Sequence, residues 1–182
     1  FNTHYISCIS LNYNSDNNLV ENCILNGDGS FYGVSLYKTS DGNTITDCTV
    51  HDTGLGVRGY EYSTNHVIED CTFYNNDEGV YLYKYSDYNT VTNCNVYGNG
   101  YGFDIYNTCD YNDILNCQVY DNDYGIDLYA TVDNNRVENC SVYNNSAIGI
   151  RCYKCTDGTI ANNMFLENFY GLYAHTTSNN NQ

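Results

Sequence analysis

Apolar residues recur along this chain in short alternating runs, and the same run returns at a fixed interval. The clearest copy, at residues 89–106, reads N-T-V-T-N-C-N-V-Y-G-N-G-Y-G-F-D-I-Y. Cys94 lies near its centre, with valines three residues before it and two after it, and Gly102 follows eight residues later. Apolar side chains at every second position predict short strands that each bury one face.

The interval between copies is almost constant. The first step is 25 residues and each of the other five is 23. One column of the repeat holds Cys23, Cys48, Cys71, Cys94, Cys117 and Cys140, with Asn163 in the seventh place. A period of this length predicts a solenoid in which each repeat is one coil and stacking of neighbouring coils buries the core.

Asparagine and aspartate mark the corners of each predicted coil. The residue before the cysteine column is Asn22, Asp47, Asp70, Asn93, Asn116, Asn139 or Asn162. These two residue types tolerate the left-handed backbone conformation that a one-residue corner needs. A second such column holds Asp28, Asn76, Asn99, Asn122, Asn145 and Asn168, with Thr53 as the exception. Glycines at 33, 56, 79, 102, 125, 149 and 171 are expected to mark the next corner, where the strand resumes.

Three strands and three corners in 23 residues predict an all-β parallel β-helix of about seven coils. We expect residues 1–182 to form one domain. Both ends lack a capping pattern, so we expect this domain to belong to a larger protein or to assemble end to end.

The amino-acid composition excludes two classes of binding partner. The net charge is −16, with 22 acidic residues against six lysines and arginines. So few cations argue against nucleic acid and against an anionic membrane surface. No apolar run is long enough to insert into a membrane. Six of the ten cysteines share one repeat column, which favours buried unpaired thiols. The sequence does not determine whether Cys109, Cys152 and Cys155 form disulfides.

The repeat pattern resembles the repeats of known β-helix families. Its pattern N-x-[IV]-x-N-C-x-[VF], followed by G-[IVF]-x-[LI], resembles the right-handed parallel β-helix repeats of archaeal and bacterial surface proteins. It is also similar to the repeats of periplasmic copper-maturation proteins and of carbohydrate-binding β-helix proteins. The resemblance implies a right-handed β-helix that is extracellular or at the cell surface.

One predicted sheet face carries aromatic and charged side chains together. Tyrosines four residues after the glycines form an outward ladder, and the column two residues after the glycines includes carboxylates. Outward tyrosines could simply stack on one another and stabilise the sheet. Alternatively, the face could bind sugar rings. The ligand-binding candidates are Tyr81, Tyr83, Asp104, Tyr106, Asp127, Tyr129 and Tyr153.

Asp104 and Asp127 also suggest catalysis, with Arg151 beside them. As neighbours in adjacent coils their carboxyls would lie about 4.8 Å apart, close to the separation in retaining glycosidases. Mutual repulsion would favour a proton on one of them. The phrase Tyr101-Gly102-Phe103-Asp104 resembles a Y-G-F-D motif of mannuronan epimerases, which are also β-helices. That family continues with Pro-His, whereas Ile105-Tyr106 follows here.

A further acidic column suggests either turn capping or a metal. It holds Asp16, Asp41, Asp87, Asp110, Asp133 and Asp157, with Thr64 as the exception. Each aspartate could cap its own turn. Otherwise Asp87, Asp110 and Asp133 could bind calcium, which prefers oxygen ligands. The four histidines fall in different columns, so a copper site is not expected.

Two functional hypotheses follow. The first is a structural or adhesive module of an extracellular surface protein, assembling into filaments or a sheath, or contacting polysaccharide. The alternative is an enzyme that acts on acidic polysaccharide as a lyase, hydrolase or C5-epimerase around Asp104 and Asp127. The near-uniform repeats favour the first, because a catalytic cleft usually interrupts them.

Overall fold

A computed structural model describes residues 7–28 and 31–175. Its strands follow one another along the chain without an intervening helix in these two ranges. In chain order they are β1 (Ser7–Asn12), β2 (Leu19–Glu21), β3 (Ile24–Asn26), β4 (Tyr32–Tyr37), β5 (Thr44–Thr46), β6 (Thr49–His51), β7 (Leu55–Tyr60), β8 (Val67–Glu69), β9 (Thr72–Tyr74), β10 (Glu78–Tyr83), β11 (Thr90–Thr92), β12 (Asn95–Tyr97), β13 (Tyr101–Tyr106), β14 (Asp113–Leu115), β15 (Gln118–Tyr120), β16 (Tyr124–Asp133), β17 (Arg136–Glu138), β18 (Ser141–Tyr143), β19 (Ile148–Thr156), β20 (Thr159–Ala161), β21 (Met164–Leu166) and β22 (Tyr170–His175).

Every third strand joins the same parallel sheet. Sheet A has the order β1-β4-β7-β10-β13-β16-β19-β22, sheet B runs from β2 to β20, and sheet C runs from β3 to β21. Each strand pairs with its equivalent in the next coil, so Val91 is the register partner of Ile114, and Ile114 of Val137. The predicted parallel β-helix is confirmed.

The core is a set of columns along the axis of the solenoid. The predicted apolar positions are almost completely buried, as at Val57, Phe73 and Ile126. Cys48, Cys71, Cys94, Cys117 and Cys140 are buried and unpaired, while Cys23 is half-buried. Cys109 is also free and buried, and Cys152 and Cys155 are linked by a disulfide. None of the described residues builds a helix long and apolar enough to cross a membrane.

Two polar columns also lie inside the solenoid. One holds Asn43, His66, Asn89, Asn112 and Asn135, and the other holds Thr53, Asn76, Asn99, Asn122 and Asn145. In both, a backbone N–H of one coil donates to a side-chain acceptor of the next coil, as from Asn89 to Oδ1 of Asn112 at 2.9 Å. The second column was predicted only as part of a corner. Burial without a partner would be costly, so these ladders satisfy backbone N–H groups where the chain turns. Nδ2 of Asn43 and of Asn112 is buried without a partner.

The corners match the prediction in one place and differ in another. Residues before the cysteine column have positive φ, such as 56° at Asn93, which confirms that corner. At the next corner the left-handed residues are Asp52, Asn75, Gly98, Asp121, Asn144 and Glu167. The glycine column lies inside the strands of sheet A instead, so its assignment to a corner was wrong. A Cβ atom at Gly102 would lie 2.5 Å from the carbonyl oxygen of Gly125. Close stacking of coils therefore requires glycine there.

Candidate functional site

The outer face of sheet A collects the predicted ligand-binding residues. Its side chains come from the positions one before, two after and four after each glycine, because side chains alternate along a strand. The third of these columns is the tyrosine ladder, made of Tyr37, Tyr60, Tyr83, Tyr106, Tyr129, Tyr153 and His175. Adjacent ring centroids in this ladder are 4.7 to 5.7 Å apart.

The stacking has a consequence for sugar binding. Tyr83 and Tyr106 are nearly parallel, with 8° between their ring planes. Each inner ring therefore covers the faces of its neighbours and turns an edge toward solvent. This geometry fits the interpretation that the ladder stabilises the sheet. A sugar ring that packs on an aromatic face must use rings outside the ladder.

A shallow cleft of about 280 Å³ lies beside the ladder, across coils from β10 to β19. We call it the carboxyl cleft. Its lining residues are Glu78, Tyr81, Tyr101, Asp104, Tyr106, Asp127, Tyr129 and Arg151. The structure thus brings together the three alternative catalytic residues, Asp104, Asp127 and Arg151, with three of the predicted tyrosines. Tyr83 and Tyr153 belong to the ladder but do not line the cleft.

Asp127, which is buried, forms an ion pair with the half-buried Arg151 in the cleft. Nε of Arg151 donates to Oδ1 of Asp127 at 2.6 Å, and a second, shorter bond joins Nη2 to Oδ2. The guanidinium also lies 4.9 Å from the ring centre of Tyr124 and 5.0 Å from that of Tyr129. Burial raises the pKa of Asp127 and the bonds from Arg151 oppose it. The same bonds raise the pKa of Arg151. Two parallel N–H···O bonds are the geometry of a charge-assisted bidentate pair.

Asp104 lies next to this pair, as the register partner of Asp127. Burial raises the pKa of Asp104 to about 7, with the charge of Asp127 adding to the effect. The Asp104 carboxyl is therefore partly protonated near neutral pH, as predicted for one of two adjacent carboxyls.

Glu78 is a member of the cleft that the sequence did not reveal. Burial raises its pKa to about 8, and the charges of Asp104, Asp77 and Asp127 add to this. Its Oε2 atom is buried without a hydrogen-bond partner among the described residues. Glu78 occupies the position before the glycine, which is Tyr101 and Tyr124 in the next coils. Because side chains alternate along a strand, the position before each glycine points outward. This alternation could have identified Glu78 as an outward residue from the sequence.

The acidic column connects successive coils. Oδ1 of Asp87 accepts the backbone N–H of Asp110 at 2.8 Å, and Oδ1 of Asp110 accepts that of Asp133 at 2.7 Å. The aspartates therefore cap the following coil, and the expectation that each caps its own turn was wrong.

The last member of this column was also assigned wrongly. Asp133 accepts the backbone N–H and the hydroxyl of Thr156 and is its register partner, so Asp157 lies one position beyond. The shift arises because β16 and β19 pair irregularly between Tyr129 and Val132.

Metal ligands are not clustered in the described part of the chain. Within residues 7–28 and 31–175, no group of three or more His, Cys, Asp or Glu side chains is arranged to hold a metal ion. The buried thiols are engaged elsewhere, as Sγ of Cys94 donates to the carbonyl of Thr92 at 3.3 Å. Calcium binding by Asp87, Asp110 and Asp133 stays a prediction.

Solved structures share the fold. A double mutant of the periplasmic alginate epimerase AlgG superposes with a TM-score of 0.81 at 19% identity, over 86% of this chain and 38% of that one. The A-module of mannuronan C-5 epimerase AlgE4 from Azotobacter vinelandii gives a TM-score of 0.74 at 18% identity, over 97% and 56%. The enzymatically active domain of tailspike protein 2 from bacteriophage CBA120 gives a TM-score of 0.68 at 11% identity, over 92% of this chain and 32% of that one.

At these identities the likeness concerns the right-handed parallel β-helix alone. The chain spans between about a third and just over half of the length of these three structures. No curated protein matches it.

A family model covers nearly the whole sequence. Residues 2–182 match the model described as periplasmic copper-binding protein (NosD). The match agrees with the resemblance to periplasmic copper-maturation repeats, which rested on the repeated N-C corner and glycine strand. The chain belongs to the NosD family.

Proposed function

We propose that this chain is a polysaccharide-contacting β-helix module that acts in the periplasm or at the cell surface, and that the glycan lies in the carboxyl cleft. The family's description as periplasmic supports this location. The solenoid supplies a rigid support, and the outer face of sheet A supplies the contacts.

The observation that carries the proposal is the buried, unpartnered Oε2 atom of Glu78 at the cleft. Buried polar atoms normally have partners, so an unpaired one calls for an explanation. Sugars present several hydroxyls that both donate and accept. A sugar hydroxyl in the cleft can donate to Glu78, while protonated Asp104 can donate to a sugar oxygen.

Two tyrosines of the cleft add to its affinity for sugars. Tyr81 lies in the column of Asp104, and burial together with the charge of Glu78 raises its pKa. Its hydroxyl therefore stays neutral and can donate to a sugar oxygen. Tyr101 stacks on Tyr124 at 4.8 Å, at the outer edge of the same cleft. These rings stand outside the tyrosine ladder.

The structural neighbours support the same class of ligand. AlgG is named as an alginate epimerase and AlgE4 as a mannuronan epimerase. Because identity is below 20% in both, their activities are not transferred to this chain. Their names support a polysaccharide as the class of ligand, because they share this fold.

The copper named in the family description is not part of this proposal. Copper in proteins is usually held by imidazole nitrogens or by sulfur. Here His51 contacts Asp52, His66 is buried in an asparagine column, and the buried cysteine thiols donate to backbone carbonyls. The described side chains do not fit a copper site.

A second candidate function is a polysaccharide-active enzyme, favoured by the carboxyl of Asp104. An acid with a pKa near 7 is suited to proton transfer at neutral pH. Asp127 lies in the next coil, but both its oxygens are bonded to Arg151, so Asp127 is not free to act as the base or nucleophile. Binding therefore requires fewer assumptions than turnover.

End-to-end assembly stays a prediction. Light scattering on the full-length protein at increasing concentration tests it. A constant monomer mass would contradict it.

The test of the proposed function is a glycan-array screen, followed by calorimetry with the best ligand. We expect Glu78→Ala and Tyr81→Ala each to weaken binding about tenfold, the loss of one or two good contacts. Tyr120→Ala, on the outside of sheet C, is the matched control and should bind normally. Absence of glycan binding by the folded wild-type protein would refute the proposal. Release of shortened or unsaturated products, lost in Asp104→Asn, would favour the enzyme.

A further inference from the structure

We propose that Arg58 forms an anion-binding subsite for a carboxylate of an acidic polysaccharide, whose chain continues along the outer face of sheet A to the carboxyl cleft. This inference rests on the proposed function and names its substrate class. The subsite is a second cleft, of about 350 Å³, which we call the Arg58 cleft. Its lining includes Ser10, Asn12, Ser35 and Tyr60.

Arg58 is held in place by aromatic rings. Its guanidinium carbon lies 4.2 Å from the ring centre of Tyr60, 4.8 Å from that of Tyr32 and 5.3 Å from that of Tyr37. Stacking of this kind orients the planar group and leaves its N–H donors in the plane of the guanidinium. A carboxylate accepts two such parallel donors.

No carboxylate of the described residues neutralises Arg58. The other two arginines are ion-paired, Arg151 with Asp127 and Arg136 with Asp113. Arg58 makes no ion pair with any aspartate or glutamate in the described ranges, although the chain has 22 acidic residues. An arginine left uncompensated in so acidic a protein, and inside a cleft, indicates an external anion.

Asn12 gives a second and independent sign of a ligand in this cleft. Its Nδ2 group donates to Oγ of Ser10 at 2.6 Å, and its Oδ1 atom is buried without a partner. Among the described residues four buried side-chain atoms have no partner, namely Oδ1 of Asn12, Oε2 of Glu78 and Nδ2 of Asn43 and Asn112. The two oxygens both lie on the outer face of sheet A. A sugar acid offers a carboxylate to Arg58 and hydroxyl donors to these two oxygens.

The register places the two clefts on one line. Along the column two after the glycines, Arg58 is followed by Tyr81 in the next coil and by Asp104 in the coil after that. Adjacent strands are about 4.8 Å apart, so Arg58 and Asp104 are about 10 Å apart along the axis. One ligand that fills both clefts must therefore extend along the solenoid axis over several coils, which a polymer does and a monosaccharide does not.

The charge distribution supports an anionic ligand on this face. Five of the six lysines and arginines lie over tyrosine rings at its edge or surface: Lys38, Arg58, Lys84, Arg151 and Lys154. The acidic groups near the path are Glu78, Asp77, Asp104, Asp127 and Glu61. Asp127 and Glu61 are paired with cations, while Glu78 and Asp104 hold protons near neutral pH. Cations are therefore concentrated on this face, although the whole chain carries −16.

The experiment compares polygalacturonate with the same polymer after reduction of its carboxyls to alcohols, titrated by calorimetry at pH 6.5. The variants are Arg58→Gln, Arg58→Lys and the control Arg136→Gln, which removes an arginine from the outside of sheet B. We expect wild type to bind the acidic polymer, and Arg58→Gln to lose about 10- to 100-fold in affinity, as for a charge-assisted bidentate contact. Arg58→Lys should recover only part of it. Arg136→Gln should bind like wild type, and Arg58→Gln should bind the reduced polymer unchanged.

The outcomes separate the two proposals. Equal binding of the acidic polymer by Arg58→Gln and wild type overturns the Arg58 subsite and leaves the glycan-binding function in place. The subsite is also overturned if Arg58→Gln weakens both polymers equally, because the arginine then does not recognise the carboxylate. If folded wild type binds neither polymer nor any glycan of the array, the proposed function falls as well. Circular dichroism and thermal melting confirm that each variant is folded.

Discussion

Asn99 donates both its backbone N–H and its Nδ2 group to a single atom, Oδ1 of Asn122, at 2.9 and 3.0 Å. Asn122 repeats the arrangement with Oδ1 of Asn145, at 3.1 Å for each bond. All three side chains are at most 4% exposed. The corners of the solenoid are thus joined from coil to coil by side-chain amides, in addition to the bonds of the sheets.

This ladder predicts a large effect for one substitution. Asn122→Ala removes the acceptor of two Asn99 donors and leaves a buried backbone N–H unsatisfied. We expect a loss of about 3 to 5 kcal/mol of stability and a melting temperature about 10 °C lower. Gln118→Ala, on the exposed side of β15, should change the melting temperature little. Equal effects of the two substitutions would contradict the importance of the ladder.

The glycine column predicts a contrast between coils. A Cβ atom at Gly102 would lie 2.5 Å from the Gly125 carbonyl oxygen, which belongs to the backbone and has no room to move. We expect Gly102→Ala to cost about 3 kcal/mol. At Gly171, in the last described coil, the nearest atom is Cβ of Phe165 at 3.3 Å. Gly171→Ala should therefore be tolerated. Chemical denaturation measures the stability of both variants. If the two substitutions destabilise the protein equally, close stacking of coils is not the reason for the glycine column.

Thiol reactivity should follow burial. Cys8 is exposed and should react with a thiol reagent in the native protein, followed more slowly by the half-buried Cys23. Cys48, Cys71, Cys94, Cys109, Cys117 and Cys140 are free but buried, so they should react only after unfolding. Burial raises the pKa of Cys48 to about 11, which further suppresses its thiolate. Time-resolved thiol counting with and without denaturant tests this. A native count well above two would contradict it.

Glu78 predicts a loss of stability on alkalinisation. Its folded pKa of about 8 lies above the ordinary value of 4.5, so the folded state binds more protons between these values. Stability therefore falls as the pH rises from 4.5 and reaches its low plateau above pH 8. Between pH 6.5 and 8.5 we expect the melting temperature to fall by about 5 °C.

Glu78→Gln should remove most of this slope, because the amide does not ionise. Glu69→Gln, at an outward position of sheet B, is the control and should keep the slope. If wild type and Glu78→Gln have the same pH dependence, then Glu78 is not the group responsible.

His66 predicts the opposite dependence on the acidic side. Burial lowers its pKa from 6.5 to about 4. Its Nδ1 atom accepts the backbone N–H of Asn43 at 3.0 Å, so Nε2 carries the proton and faces Oγ of Ser63 at 2.7 Å. If Nδ1 were protonated, its N–H would face the backbone N–H of Asn43, and two donors would lie within hydrogen-bond distance with no acceptor between them. The unfolded state takes up the proton first, so stability falls on acidification from pH 6.5 to about 4, by on the order of 3 kcal/mol.

His66→Asn should remove this acid-linked loss and keep the fold, because the same column holds asparagine in the coils on both sides. The measurement is the difference in melting temperature between wild type and variant across that pH range. A difference that does not change with pH would contradict a neutral buried His66.

The sequence alone determined the coil, its period and its inward columns. Alternation of apolar residues fixes which side of each short strand is buried, and a repeat of 23 residues places equivalent positions one above another. The Asn-Cys step also revealed a corner, because few residues other than glycine adopt positive φ readily. The tyrosine ladder and the neighbouring Asp104 and Asp127 follow from the same register.

Only the tertiary structure decided what these columns do. Whether Asp87 bonds to its own turn or to Asp110 depends on the distance between coils, which is absent from the sequence. The same holds for the glycine column, whose role comes from the approach of one backbone to the next. The partners of Asp104 were decided likewise: Arg151 takes both oxygens of Asp127, and Glu78 arrives from an adjacent column. Repetition along the chain specifies the coil, whereas hydrogen bonding and desolvation between coils specify the site.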